Sequence, residues 1–102
     1  MSNGREVDVA RRAKVIEWLK LEIMDSTAQL FRGLWEGRQG KIIDGLSSLI
    51  VTSYLLARRL GVSYQELDDA ILQKVRTNKE NRHQLEEWDG DLSSLEHHLD
   101  GR

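Results

Sequence analysis

Apolar residues recur at intervals of three and four along most of the chain, a spacing that predicts helices throughout. From about Asp8 to Trp35 or Glu36, Ile16, Leu19, Ile23, Leu30 and Leu34 fall on one helix face, and Trp18, Phe31 and Trp35 widen the apolar side. Gly37 and Gly40 then punctuate the sequence, with Arg38 and Gln39 between them. A second helix is expected from about Lys41 to Leu60. Its apolar residues, from Ile42, Ile43 and Leu46 through Ile50 and Val51 to Leu55 and Leu56, cover nearly the whole circumference. A helix apolar all round has to be buried all round. One antiparallel neighbour covers only one side, so a second subunit is the simplest cover for the remainder. The pattern therefore predicts a homo-oligomer, a dimer or a tetramer built from two dimers.

Gly61 stops the second helix. Ser63 to Glu66 reads S-x-x-E, a capping box that starts a third, with Tyr64, Leu67, Ile71 and Val75 on one face. Polar residues take over from Arg76 to His83, and the end of this helix is placed between Arg82 and Trp88. Asp89, Gly90 and Asp91 form a turn. A short fourth helix follows with Leu92, Leu95 and Leu99 on one face. Ser93 to Glu96 repeats the S-x-x-E pattern, so Asp91 and Ser93 compete as its start. The last two residues are expected to fray. The fold class expected is all-α, a four-helix bundle-like single domain over residues 1–102, with its core at about 8–83 and a helical tail at 88–100.

Composition narrows the chemistry. The 102 residues contain no proline, 31% are charged and 6% are aromatic, a mix that favours helices over strands. The net charge of −2 gives no basic excess to point at nucleic acid or an anionic membrane. With no cysteine, disulfides, thiolate catalysis and thiolate metal sites are excluded. Met1 to Asp8 is polar and lacks the apolar segment of a secretory leader, so a cytoplasmic location is expected. The charge-free run Gly45–Ala57 is shorter than the roughly 18 apolar residues of a membrane span.

Several residues suggest specific chemistry. The string from Leu56 to Leu67 resembles a DNA-binding helix-turn-helix, but Glu66, Asp68 and Asp69 would meet phosphate-rich DNA in the first two turns of the recognition helix. A Gly-terminated helix followed by a capped one explains the same letters. His97 and His98 are adjacent, about 100° apart on a helix, and cannot chelate one metal well; His83 is solitary. Arg76, Lys79 and Arg82 form a basic strip interrupted by Glu80, and Lys79 reads as solvated. Glu22 and Asp25 share nearly one face of the first helix, and Asp44 opens the second. Brought together across an antiparallel pair, these three carboxylates could hold Mg²⁺, which prefers oxygen ligands.

The order of these features resembles the MazG-like family of all-α nucleoside triphosphate pyrophosphohydrolases. The resemblance runs over about residues 12–83. It rests on Lys20–Ser26, on Asp44–Ile50, on the corner Ala57-Arg58-Arg59-Leu60-Gly61-Val62-Ser63, and on Lys74-Val75-Arg76-Thr77-Asn78 reaching Arg82. It implies four carboxylates that bind Mg²⁺, and hydrolysis of a nucleotide between its α- and β-phosphates. The metal would offset phosphate charge and acidify a bound water.

Carried over residue by residue, the family's pattern puts its four ligands on Ile23, Ser26, Gly45 and Ser48, none of them a carboxylate. A one-residue shift recovers Glu22, Asp25 and Asp44, but it rotates each side chain by about 100°. Ile16, Leu19, Ile23 and Leu30 fix the buried face, which contains Ile23 and not Glu22, and so favour the first register. Lys74, Asn78 and Arg82 form one polar ridge, which the resemblance marks for phosphate or subunit contacts. Three readings follow. The first is an oligomeric MazG-like module without efficient catalysis, acting through nucleotide sensing or protein contacts. The second is a Mg²⁺-dependent pyrophosphohydrolase, and the third, against which the acidic residues argue, is a DNA-binding regulator.

Overall fold

The computed structural model describes residues 3–81 and 90–101. Four helices contain nearly all of these residues: α1 (Asn3–Glu36), α2 (Gln39–Arg59), α3 (Tyr64–Glu80) and α4 (Asp91–Asp100). There is no strand among the described residues. The chain divides into two compact units, Met1–Val62 and Ser63–Arg102.

In the first unit, α1 starts at Asn3, ahead of the Asp8 expected from the sequence. Gly4 falls in the first turn and does not interrupt it, and Glu6 lies in the same turn, where a carboxylate meets the positive end of the helix dipole. Gly37, at φ 67°, ends α1. The Arg38 amide donates to the Gly33 carbonyl at 2.9 Å and the Gly37 amide to that of Leu34 at 3.4 Å, the Schellman pattern. Extended Arg38 is the N-cap of α2, which opens at Gln39, so Gly40 is helical and the expected start at Lys41 is late.

The two helices form an antiparallel hairpin with a seam of small residues. A Cβ on Gly33 would stand 3.0 Å from Lys41 Cβ and 3.1 Å from the Ile42 nitrogen. Farther along, Ser26 is 1% exposed and Thr52 4%. Ile23, Leu30, Ile42, Leu49 and Leu56 are half-buried beside them.

The flanks of the hairpin differ. Gln29 Nε2 donates to Asp44 Oδ2 at 2.8 Å, and Lys41 Nζ to Glu36 Oε2 at 2.9 Å, so one flank is polar. At about 100° per residue, Met24 and Phe31 of α1 and Leu46 and Ile50 of α2 lie on the opposite flank. They are 67%, 63%, 46% and 58% exposed. Within one chain α2 therefore keeps a large exposed apolar surface, with Gly45 and Thr52 its buried residues, and the cover that its circumference calls for is not supplied by α1 alone. By length and composition α2 could cross a membrane, its window extending past the charge-free run to take in Ile42 and Ile43. Its hairpin partner α1 carries charge along its length, from Arg11 and Arg12 to Glu22, Asp25 and Arg32, and a bilayer core would not accommodate it.

Gly61, at φ 89°, ends α2 with a second Schellman pattern: the Val62 amide donates to the Ala57 carbonyl at 2.9 Å and Gly61 to Arg58 at 3.1 Å. The second unit opens on the capping box expected from the sequence. The Glu66 amide donates to Ser63 Oγ at 3.0 Å, and the Ser63 amide to Glu66 Oε1 at 3.4 Å. α3 ends at Glu80, short of the 82–88 interval expected, and Asn81 is its C-cap. Gly90, at φ 66°, is the N-cap of α4, so Asp91 and not Ser93 begins that helix. Val75, on α3, is 6% exposed and is the buried hydrophobic residue of the described chain.

Candidate functional site

The sequence places candidate ligands in the α1–α2 seam and on its polar flank, and in the structure the first set is buried or half-buried and the second exposed. Ser26 and Gly45 lie buried in the seam, with Ile23 and Ser48 half-buried. Gly45 meets the backbone of the opposite helix. A Cβ there would stand 3.0 Å from Leu30 Cβ and 3.1 Å from its Cα and nitrogen. Backbone cannot swing aside as a side chain can, so the seam has no room for a larger residue at 45. The Ser26 hydroxyl donates to Glu22 Oε1 at 3.4 Å, and Thr27 Oγ1 bonds back to the Ile23 carbonyl at 2.7 Å.

Glu22, Asp25 and Asp44 are all exposed. Asp44 accepts from Gln29, a partner the sequence reading missed. The spacing of Gln29 on the Glu22–Asp25 side of α1 was the available signal. Among the described residues no group of three or more His, Asp or Glu side chains is placed to hold a metal ion, so the structure does not gather these three carboxylates into one.

The second unit carries the remaining candidates. Lys74 is exposed and Asn78 half-buried on α3, while Arg82, the third of that ridge, lies outside the described residues, as do His83 and Trp88. Lys74 and Asn78 border a cleft of about 300 Å³ between α3 and α4, whose other walls are apolar among the described residues. Around the α3 circumference the order is Lys74, Asn78, Ile71, Val75, then Lys79 and Arg76. Glu96 of α4 holds the far end of that arc. Arg76 Nε donates to Glu96 Oε2 at 2.8 Å and Lys79 Nζ to Glu96 Oε1 at 3.0 Å, with Asp100 Oδ1 3.6 Å from Arg76 Nη2.

Lys79 is therefore an interhelical ion partner and not the solvated residue expected. Glu96 is bound to α3 and does not close a capping box with Ser93. The hydrogen bond from Arg76, then that from Lys79, holds the Glu96 carboxyl below the ordinary glutamate range, and the bond to Glu96 raises Arg76 above its usual value. Sequence spacing gives no sign of this cluster, because it joins residues on different helices. His97 and His98 are exposed on α4. Glu66, Asp68 and Asp69 occupy the first turns of α3, where Asp69 accepts from Gln65 at 2.9 Å.

A family model described as the MazG-like family matches residues 9–92. No curated protein and no solved structure matches the chain.

Proposed function

The chain belongs to the MazG-like family, and from that we propose that it is an oligomeric helical module acting through nucleotide or protein contacts, without efficient metal-dependent hydrolysis. The observation that carries this reading is the closeness of Gly45 to the Leu30 backbone, at 3.0–3.1 Å from a Cβ on the glycine. The register that puts the family's ligands on Ile23, Ser26, Gly45 and Ser48 puts them in a tight seam. One glycine, two hydroxyls and an isoleucine do not fit a Mg²⁺ ion, which takes carboxylate and water oxygens in near-octahedral geometry. Function is argued from that site and not from the fold, because folds keep their packing while sites change.

The apolar flank supports the oligomer. Met24, Phe31, Leu34, Leu46 and Ile50 are each about half exposed or more on one hairpin. A contiguous apolar face of that kind marks an interaction surface. The helices of a second copy, set with their own apolar flank against it, would complete a four-helix core. Analytical ultracentrifugation at micromolar concentration tests this part: a dimer or tetramer supports it and a monomer contradicts it.

A second reading keeps Mg²⁺-dependent pyrophosphohydrolysis and rests on one observation. Helical periodicity sets Glu22, Asp25 and Asp44 on the same flank of the hairpin, which the Gln29–Asp44 bond marks as polar. It requires those carboxylates to converge on a metal when nucleotide binds.

A further inference from the structure

The face of α1 turned away from α2 carries a second apolar seam. Leu21, Met24, Ala28, Phe31 and Trp35 follow one another at spacings of three, four, three and four residues. That spacing holds one line along a helix and is the pattern by which one helix packs on another. Ser26 and Gly33, which are buried against α2, lie on the opposite side of the same turns. All five seam residues are exposed, Trp35 the most at 91%. Met24 and Phe31 stand where this seam borders the apolar flank of the hairpin. Leu21, Ala28 and Trp35 lie farther round the helix, outside that flank.

An exposed seam does not by itself name its partner, but the sizes and charges along this one do. Two copies of α1 set antiparallel, with Ala28 across from the partner subunit's Phe31, bring Trp35 across from the partner subunit's Met24, and two-fold symmetry repeats both pairs. In the first pair a small residue meets a large one, and in the second a thioether meets an aromatic ring. Asp25 and Arg32 are exposed along one edge of the seam. The same register sets Asp25 beside the partner subunit's Arg32 and, by symmetry, Arg32 beside the partner subunit's Asp25. Within one chain neither has an ion-pair partner among the described residues. A parallel pair would instead set Asp25 against the partner subunit's Lys20, a residue whose ammonium Glu17 already holds at 2.8 Å, and Arg32 against an uncharged threonine.

We propose that this seam is a second contact between copies of the chain, an antiparallel α1–α1 pair whose register is set by reciprocal Asp25–Arg32 ion pairs. Two heptads are short for a helix pair standing alone, so the seam joins dimers that the apolar flank has formed, and the assembly is a tetramer. The inference rests on the oligomer of the proposed function and adds to it the second surface and the orientation of the helices. Burial of Trp35, Phe31 and Met24 supplies the attraction. The charges supply the choice of register, since like charges brought together at an interface are strongly unfavourable.

The test is sedimentation velocity of the full chain at micromolar concentration, with charge reversals at the two positions. The native chain is expected to be a tetramer. Arg32→Asp alone and Asp25→Arg alone each set like charges together, and each is expected to weaken the association of dimers about tenfold or more, with helicity by circular dichroism kept. The double variant restores opposite charges and is expected to return to the tetramer. Mixing the two single variants is expected to do the same, because one then carries only acidic groups at these positions and the other only basic ones. Single reversals that leave the assembly unchanged, or a double variant that stays as dissociated as the singles, would overturn the proposal. Ile50→Glu reads the flank separately. A native dimer that Ile50→Glu dissociates and the reversals do not would overturn the seam and leave the proposed oligomer standing. An assembly that ignores Ile50→Glu but follows the charge reversals would uphold the seam and remove the flank contact instead.

Discussion

Gly45 rests against the backbone of Leu30, so that a Cβ on the glycine would lie 3.1 Å from both the Cα and the nitrogen of that residue. This contact fixes the spacing of α1 and α2 and leaves the seam without space for a ligating side chain. It gives the first prediction. Alanine ordinarily improves a helical glycine by about 1 kcal/mol. At position 45 the added methyl must force the helices apart, an overpacking cost of about 1–3 kcal/mol. With the helix gain set against that cost, Gly45→Ala is expected to lower stability by up to about 2 kcal/mol in thermal or urea unfolding at fixed protein concentration. Gly40→Ala, where a Cβ meets nothing within 4 Å, is expected to raise it by up to about 1 kcal/mol. Equal effects at the two sites would show that the seam does not constrain position 45.

The connection between α2 and α3 gives a second. Gly61 holds φ 89° with open space around it, so Gly61→Ala costs backbone strain alone, about 1–2 kcal/mol. Ser63→Ala removes the hydroxyl that accepts the Glu66 amide and is expected to cost about 1 kcal/mol. Both changes are read from unfolding curves, and an unchanged midpoint in either variant would contradict its assigned role.

These two positions were legible in the sequence because they are local: a glycine after an apolar run, and a serine three residues before a glutamate. The inward placement of Ser26 and Gly45 was legible for a related reason, since Ile16, Leu19, Ile23 and Leu30 define a face from which Glu22 is excluded. What joins separate segments was not. Glu96 has the spacing of a capping residue, yet its carboxylate is taken by Arg76 and Lys79 from another helix. The apolar circumference of α2 says that cover is needed and not that one chain supplies it, so its exposure in a single chain agrees with the need for a second subunit that the sequence implies. The structure starts α1 ahead of Asp8, which has the chemistry of an N-cap, because Arg5, Glu6 and Val7 are compatible with a helix and Gly4 falls in its first turn, where it does not interrupt it.

The Glu96 cluster ties the docking of α4 to pH. Its folded-state pKa is lowered, first by the hydrogen bond from Arg76 and then by that from Lys79. A lowered carboxyl pKa adds stability that is fully present above the ordinary glutamate value and is lost as pH falls through the folded value. Protection factors of the α4 amides, that is exchange rates referred to the intrinsic rate at each pH, are expected to be high at neutral pH and to fall on acidification through that window. Glu96→Gln is expected to show low protection at neutral pH and to flatten its pH dependence. Protection in the native chain that ignores pH across that range would remove the cluster from any role in holding α4.

The apolar flank gives a prediction about assembly. Phe31→Glu or Ile50→Glu places a carboxylate where the proposed subunit contact would desolvate it. Each is expected to shift the chain toward monomer in sedimentation velocity, whereas Gln29→Glu on the polar flank is expected to leave the assembly intact. Dissociation by the polar-flank change, with none from the apolar flank, would place the interface elsewhere.

The central claim is that a MazG-like fold is retained while the positions for its carboxylates have become a closed seam. Incubation of the purified chain with Mg²⁺ or Mn²⁺ and a panel of nucleoside triphosphates, with release of pyrophosphate measured, tests it most directly. The account expects no release above the protein-free control for any nucleotide. Robust release that disappears in Glu22→Gln or Asp25→Asn would contradict it and establish the polar-flank carboxylates as a working metal site.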